Sequence, residues 1–459
     1  MPDLLDPLTG AGDADAYVGD HAWLHAMVEV EVALVNALVA ERVVPEWMSE
    51  VEAGLLHAEL DVEAIAAASR AGGNPVIPLV SALGRVANEL HDGAADQLHL
   101  GATSQDILDS AAMRVARLAV TRIFTDLRTM EATLARLAVL HRLTPMAGRT
   151  LGQHASPVTF GLVAAGWLDG IAAAHEQLSA VRDRLPVQYG GAVGSRAVLR
   201  EIVALRRPDA LPDVVVASVV RRLAGRLGLE DAGPWHSNRM PIVELGSALA
   251  AVVGAIGAMA ADINVLSRTE IAEVSERLGA GEGGSSAMPH KRNPVTSVLL
   301  VSAARRSPGL VSTLYGALVT EDQRSTGEWH SEWQTLRELE RLALETSATA
   351  ADLVERLELD VARMRSNLEF TDGLIFSERV TAILAESIGK AAAFELVAEA
   401  SRETVQTSRP LQVVVAARLA SNGDESLRSR VLAAFDPDTG LESAAEIIDE
   451  VLERAKELS

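Results

Sequence analysis

Apolar residues recur every three to four positions along most of this chain, and that period is its clearest structural signal. Between Asp20 and Arg42 the side chains of Trp23, Met27, Val30, Leu34 and Leu38 share one helical face, and the pattern stops before Pro45. The same spacing predicts helices over 107–143, 160–185, 214–227, 242–277, 294–318 and 332–357. Read as helices free of internal proline, several of about 25 residues or more, they imply a long bundle buried along its shaft. Only 187–189, ahead of Gly190 and Gly191, reads as extended, which leaves room for a minor hairpin there. The fold class is all-α. Loops near 101–105 and 359–374 divide it into an N-terminal helical part (1–105), a central long-helix bundle (106–358) and a C-terminal helical part (359–459).

Composition narrows the class. Hydrophobic residues make up 48% of the 459 positions but aromatics only 3%, so the apolar share is mostly Ala, Leu and Val, which suits packed helices better than sheet. The formal net charge of -22 argues against non-specific binding to nucleic acid or an anionic membrane surface, and an anionic substrate would need a local basic pocket. The absence of cysteine excludes disulfides, thiolate metal sites and a cysteine nucleophile, and fits a cytoplasmic protein. The N-terminus has neither the basic nor the apolar part of a secretory signal. The uncharged stretch 246–261 is shorter than the ~20 residues that span a bilayer and reads as a buried bundle helix.

The candidate chemistry lies in four segments. Gly279, Gly281, Gly283 and Gly284 lead into Ser285, Ser286, Ala287, Met288, Pro289, His290, Lys291, Arg292, Asn293 and Pro294, a run that joins a flexible loop to hydroxyls with a cation and an amide close by. A serine hydroxyl becomes a useful base only when such neighbours lower its pKa. His99 to Asp106 places Thr103 and Ser104 at the start of a long helix, where free N–H groups and the dipole favour a carboxylate. Gly148 to Pro157 holds Gln153 and His154, the latter a group able to titrate near neutrality. In the PWHSNR segment, Arg239 and His236 could clamp carboxylates. Nothing points to a cofactor or metal: "GAGEGG" follows a helical segment, "GGAVGS" lacks a phosphate-loop lysine, and His21 and His25 have no third ligand.

The run from Gly284 to Asn293 resembles the GSSxMPxKxN signature of the fumarase/aspartase superfamily. The segments HLGATSQD, GNPVIPLV, PWHSNR and EWHSEW are most similar to those of the bacterial 3-carboxy-cis,cis-muconate cycloisomerases, from about residue 20 to about residue 395. The resemblance implies a small N-terminal domain, a central five-helix bundle and a small C-terminal domain. It also implies Ser285 as the base, with Lys291 and Asn293 as its catalytic companions; His154, three residues beyond the position of the family's usual histidine, is the remaining catalytic candidate. Substrate contacts would come from His99, Thr103, Ser104, Gln153, His236, Arg239, Ser286 and Met288. The implied assembly is a homotetramer in which Thr103, His154 and Ser285 reach each site from different subunits. The implied substrate is a small polycarboxylate, 3-carboxy-cis,cis-muconate, closed to 4-carboxymuconolactone without a cofactor. A lyase that releases fumarate from an amino- or nitro-substituted succinate is the alternative enzyme, and a catalytically silent relative the alternative outside enzymes. The chain departs from the pattern at Leu151, where other branches carry histidine, and at Asn238, Met240 and Pro241.

Overall fold

The computed structural model describes residues 4–279, 281–285, 287–420 and 424–458. Helix dominates, as the periodicity predicts. The five longest helices are Ser104–Leu140, Phe160–Arg182, Met240–Leu266, Val295–Gly316 and Glu328–Glu355. Their ends follow local chemistry. Ahead of Ser104, the Asp106 carboxylate accepts from the Thr103 backbone N–H at 3.0 Å, the reach-back half of a capping box. Helix Pro212–Leu227 opens on proline, which lacks the N–H that a first turn cannot use, and ends on Gly228 in the left-handed region.

Three expectations need correcting. The helix predicted over 242–277 ends at Leu266, and Val274–Glu276 (β3) pairs instead with Leu357–Leu359 (β4). The Val295–Gly316 helix contains a proline, Pro308. Proline removes the N–H that would bond the carbonyl of Ala304, and the Ser307 hydroxyl donates to that same oxygen at 3.2 Å. The segment 187–189 forms no strand: its neighbour Pro186 makes one isolated bridge to Glu230. The hairpin lies elsewhere, where Pro145–Thr150 (β1) pairs antiparallel with Gln153–Thr159 (β2) around a turn of Leu151 and Gly152, both at positive φ.

Contacts gather the chain into two compact units. One comprises residues 1–126, 174–257 and 302–349, the other 127–173, 258–301 and 350–459, so each of the five long helices contributes residues to both. The first unit buries Leu34, Leu38, Met48, Leu55, Leu79 and Leu83 from the N-terminal helices. In the second, Leu368, Phe376, Val380, Leu384, Val397, Leu411 and Val415 form a core among the C-terminal helices, and Ala147 of β1 joins it. Helices Asp20–Ala40 and Met240–Leu266 are long and apolar enough to cross a membrane, yet most of each apolar window is buried inside the protein, as in a core helix.

One buried acid gives the first unit a pH dependence. Glu340 is fully buried, neither carboxylate oxygen has a partner among the described residues, and burial pushes its pKa up to about 8 against a weaker opposing effect of Arg337. The folded protein therefore keeps this acid protonated while the unfolded chain ionises it. Its contribution to stability is complete below the ordinary carboxyl range and is lost as the pH climbs through about 8. Glu340→Gln should raise the melting temperature much more at about pH 9 than at about pH 5. Equal shifts at the two pH values in a calorimetric scan would show that Glu340 is not held neutral.

Candidate active site

The loop before Ser104 is shaped by two left-handed residues, His99 and Gly101. A Cβ on Gly101 would lie 2.8 Å from that of Leu199 and 3.0 Å from the Tyr189 hydroxyl, so only glycine fits. Asp106, fully buried, ties the first turn to the loop at 190–191: its oxygens accept from the N–H groups of Gly190 and Gly191, each at 2.8 Å, and from Gln188 Nε2 at 3.1 Å. This leaves the hydroxyls at the helix start for other work. Thr103 Oγ1 accepts from Arg324 Nη2 at 2.9 Å, and the half-buried Ser104 hydroxyl has no partner among the described residues. Arg324 Nε donates to Gln105 Oε1 at 3.0 Å, and its guanidinium stands over the Trp329 ring, 5.5 Å from the centroid. No carboxylate among the described residues pairs with Arg324. His99 hydrogen-bonds Glu31 at 2.6 Å. Burial disfavours its charged form, but the bond and charge of Glu31 outweigh that and raise its pKa, so this histidine leans towards a cation.

Arg239 and His236 are already engaged. Arg239 is 2% exposed and bidentate to two carboxylates: Nη1 and Nη2 reach Asp109 at 2.7 and 3.1 Å, and Nη2 and Nε reach Glu332 at 2.6 and 3.0 Å. Trp235 stacks against its guanidinium, and Trp329 Nε1 donates to Asp109 at 2.9 Å. The expected open clamp is thus a closed ion cluster. His236 is buried, with Nε2 3.2 Å from Asp106 Oδ1.

In the second unit, His154 lies on β2, half-buried, beside the exposed ring of Phe370. Burial and then the charge of Arg149 lower its pKa, against the pull of Glu273, and so favour its neutral form. The hairpin is fixed by Arg149, which is bidentate to the buried Glu273 at 2.7 and 2.9 Å. Asn367 also donates to Glu273, at 2.7 Å. Gln153 is exposed next to the turn, and Leu151 stands fully exposed at its tip.

The glycine-rich loop belongs to the same unit and has a defined neck. Asn293 donates to the Gly283 carbonyl from its backbone N–H at 2.9 Å and from its side chain at 3.3 Å. Gly283 sits at positive φ, where a Cβ would collide with Leu278. Glu276 anchors one foot by accepting from the N–H groups of Thr296 and Ser297 at the start of the Val295–Gly316 helix, where the dipole favours an anion. Glu282 anchors the other, 2.9 Å from Arg356. Inside the neck, Ser285 Oγ receives the N–H groups of Met288 at 3.1 Å and Ala287 at 3.3 Å. Donors aimed at that oxygen stabilise an alkoxide, which is what a serine base requires. Lys291 and Met288 are exposed, and Ser286 lies outside the described residues.

Comparison with known proteins gives the family. A family model described as lyase matches residues 19–309. The chain belongs to the fumarase/aspartase superfamily. Among its relatives in this superfamily, a nitrosuccinate lyase of Streptomyces davaonensis is 45% identical across 90% of this chain and 87% of its own. A 3-carboxy-cis,cis-muconate cycloisomerase of Pseudomonas aeruginosa is 42% identical across 96% and 92%. The crystal structure of the 3-carboxy-cis,cis-muconate lactonizing enzyme from Pseudomonas putida superposes with a TM-score of 0.86 at 35% identity, covering 99% of both chains. The protein is an enzyme of this superfamily with an all-α fold.

Sequence reasoning passed over Arg324. It lies in the polar run 320–327 just ahead of the EWHSEW segment, and nothing in linear spacing tells which arginine keeps its guanidinium free of a carboxylate. Asp109 and Glu332, which take Arg239 out of play, are 130 and 93 residues from it in sequence.

Proposed function

We propose that the protein is a cytoplasmic homotetrameric cycloisomerase that closes 3-carboxy-cis,cis-muconate to 4-carboxymuconolactone, without a metal or cofactor. The observation that carries the chemistry is Ser285 Oγ held by two N–H donors in a loop that matches the superfamily signature. The likeness to cycloisomerases along nearly the whole chain supports the substrate. In lactonisation one substrate carboxylate oxygen bonds to a carbon of the diene, and the electron pair moves to the carbon beside another carboxylate. The Ser285 hydroxyl gives its proton to that carbon and recovers one from solvent; in reverse its alkoxide removes the proton. Thr103, Ser104 and Arg324 hold a carboxylate, and Lys291 and Asn293 stabilise the negative charge that develops. His154, whose neutral form is favoured, is suited to relay the proton. Thr103, His154 and Ser285 come from different subunits at each site.

The 45% identity to a nitrosuccinate lyase supports a second reading with the same parts. There the base takes a proton from the carbon beside a carboxylate, nitrite leaves the neighbouring carbon, and fumarate is released. Purified protein incubated with each compound separates the two. Loss of diene absorbance from carboxymuconate, undiminished by EDTA, is the expected result. Inert carboxymuconate together with nitrite and fumarate formed from nitrosuccinate would replace the first reading with the second.

A further inference from the structure

We infer that Gln105 is a positioning residue that sets the guanidinium of Arg324 for substrate and fixes it to the buried ion cluster behind; this rests on the carboxylate-binding reading of Arg324. Gln105 is 1% exposed, and every polar atom of its amide is committed. Its Nε2 donates to Asp109 Oδ2 at 3.1 Å and to the His236 carbonyl at 3.0 Å, while its Oε1 accepts from Arg324 Nε at 3.0 Å. The orientation has no alternative. A carbonyl and an ionised carboxylate only accept and a guanidinium only donates, so a flipped amide would lose all three bonds. Asp109 is itself immobile, because Arg239 grips both its oxygens and Trp329 Nε1 donates to Oδ1. Rigidity therefore passes from Arg239 through Asp109 and Gln105 to Arg324. With Nε spent on Gln105 and one Nη2 hydrogen on Thr103, the guanidinium turns Nη1 and the remaining Nη2 hydrogen towards a ligand. Two adjacent donors match a carboxylate or a nitro group, the anionic or planar groups of both candidate substrates.

The role separates from plain structural support in its kinetics. Gln105→Met fills the same volume without the acceptor. It should raise KM about tenfold to a hundredfold, the range for losing a hydrogen bond to a charged group, with kcat within about threefold; the melting temperature should fall somewhat, because Asp109 and the His236 carbonyl lose a buried donor. Arg324→Gly should raise KM further and be rescued by added guanidinium. In the Arg324→Gly/Gln105→Met protein the half-saturating guanidinium concentration should be about tenfold higher, because the acceptor that orients the free ion is gone. If Gln105→Met fails to fold, Gln105→Asn serves, since it keeps the amide but withdraws its oxygen from Arg324; a raised KM is again expected. Wild-type KM in the folded Gln105 variant, or equal guanidinium demand in both backgrounds, overturns the inference while leaving Arg324 in its role. Wild-type KM in Arg324→Gly overturns the carboxylate reading, and the positioning role falls with it.

Discussion

Replacing Ser285 by alanine is expected to lower kcat by about a hundredfold to ten-thousandfold, the usual contribution of a positioned base, with little change in melting temperature. The hydroxyl accepts two hydrogen bonds within its own loop and is half-buried, so its removal leaves two N–H groups within reach of water and no hole in a core. The variant also tests the proposed assembly. Thr103→Ala should be impaired for a different reason, loss of a substrate contact that also receives Arg324. If Thr103 and Ser285 reach each site from different subunits, mixing the two inactive proteins after reversible dissociation yields sites that carry neither lesion. Random exchange of equal amounts makes these about one in four, so roughly a quarter of wild-type activity should return. A monomeric mass in solution, or no recovery despite proven exchange, would remove the shared-site assembly, and undiminished activity in Ser285→Ala would remove the base.

The second large effect falls on stability. Arg239→Met is expected to destabilise the fold by about 3–5 kcal/mol, because it strands Asp109 and Glu332 as facing carboxylates in a buried place. Burial already raises the pKa of Glu332, against the bond and charge of Arg239, and losing the guanidinium removes the main opposing influence. In the variant the folded pKa of Glu332 rises further above its unfolded value, so stability is retained at low pH and lost as the pH rises. The gap in melting temperature between wild type and variant should widen from about pH 5 to about pH 8. Replacing both acids together with Arg239 by apolar residues of similar volume should recover much of the loss. An intact melting temperature in Arg239→Met with a raised KM would mean that the guanidinium serves substrate after all.

The helices were legible because their signal is local and repeated. A three-to-four period over 21 residues, as in Asp20–Ala40, survives any tertiary context that buries one face. The hairpin at 145–159 was hidden for the opposite reason. Its turn, Leu151 and Gly152, places a leucine at positive φ with no Asn-Gly pair to announce it, and Arg149, which fixes it, finds Glu273 124 residues away. The glycine- and serine-rich loop was visible in the order of its residues, since backbone freedom leaves a compositional mark. What the sequence could not say is how its polar groups spend themselves on one another: Arg239 on two acids, Asn293 with one amide hydrogen on the neck of its own loop, and Arg324 on Gln105 and Thr103 but on no acid among the described residues.

The interleaving of the two compact units governs how the chain can be made. The unit that contains Thr103 and Arg324 opens with residues 1–126 but is closed by 302–349, and the unit that contains His154 and Ser285 takes 350–459. During synthesis the first 126 residues emerge with their apolar faces long before the helices that cover them, and the second unit waits for the end of the chain. Such late, non-local pairing makes folding slow and exposes intermediates to aggregation and to chaperones. Neither unit can be cut out as a continuous fragment, so the chain must be expressed as a whole.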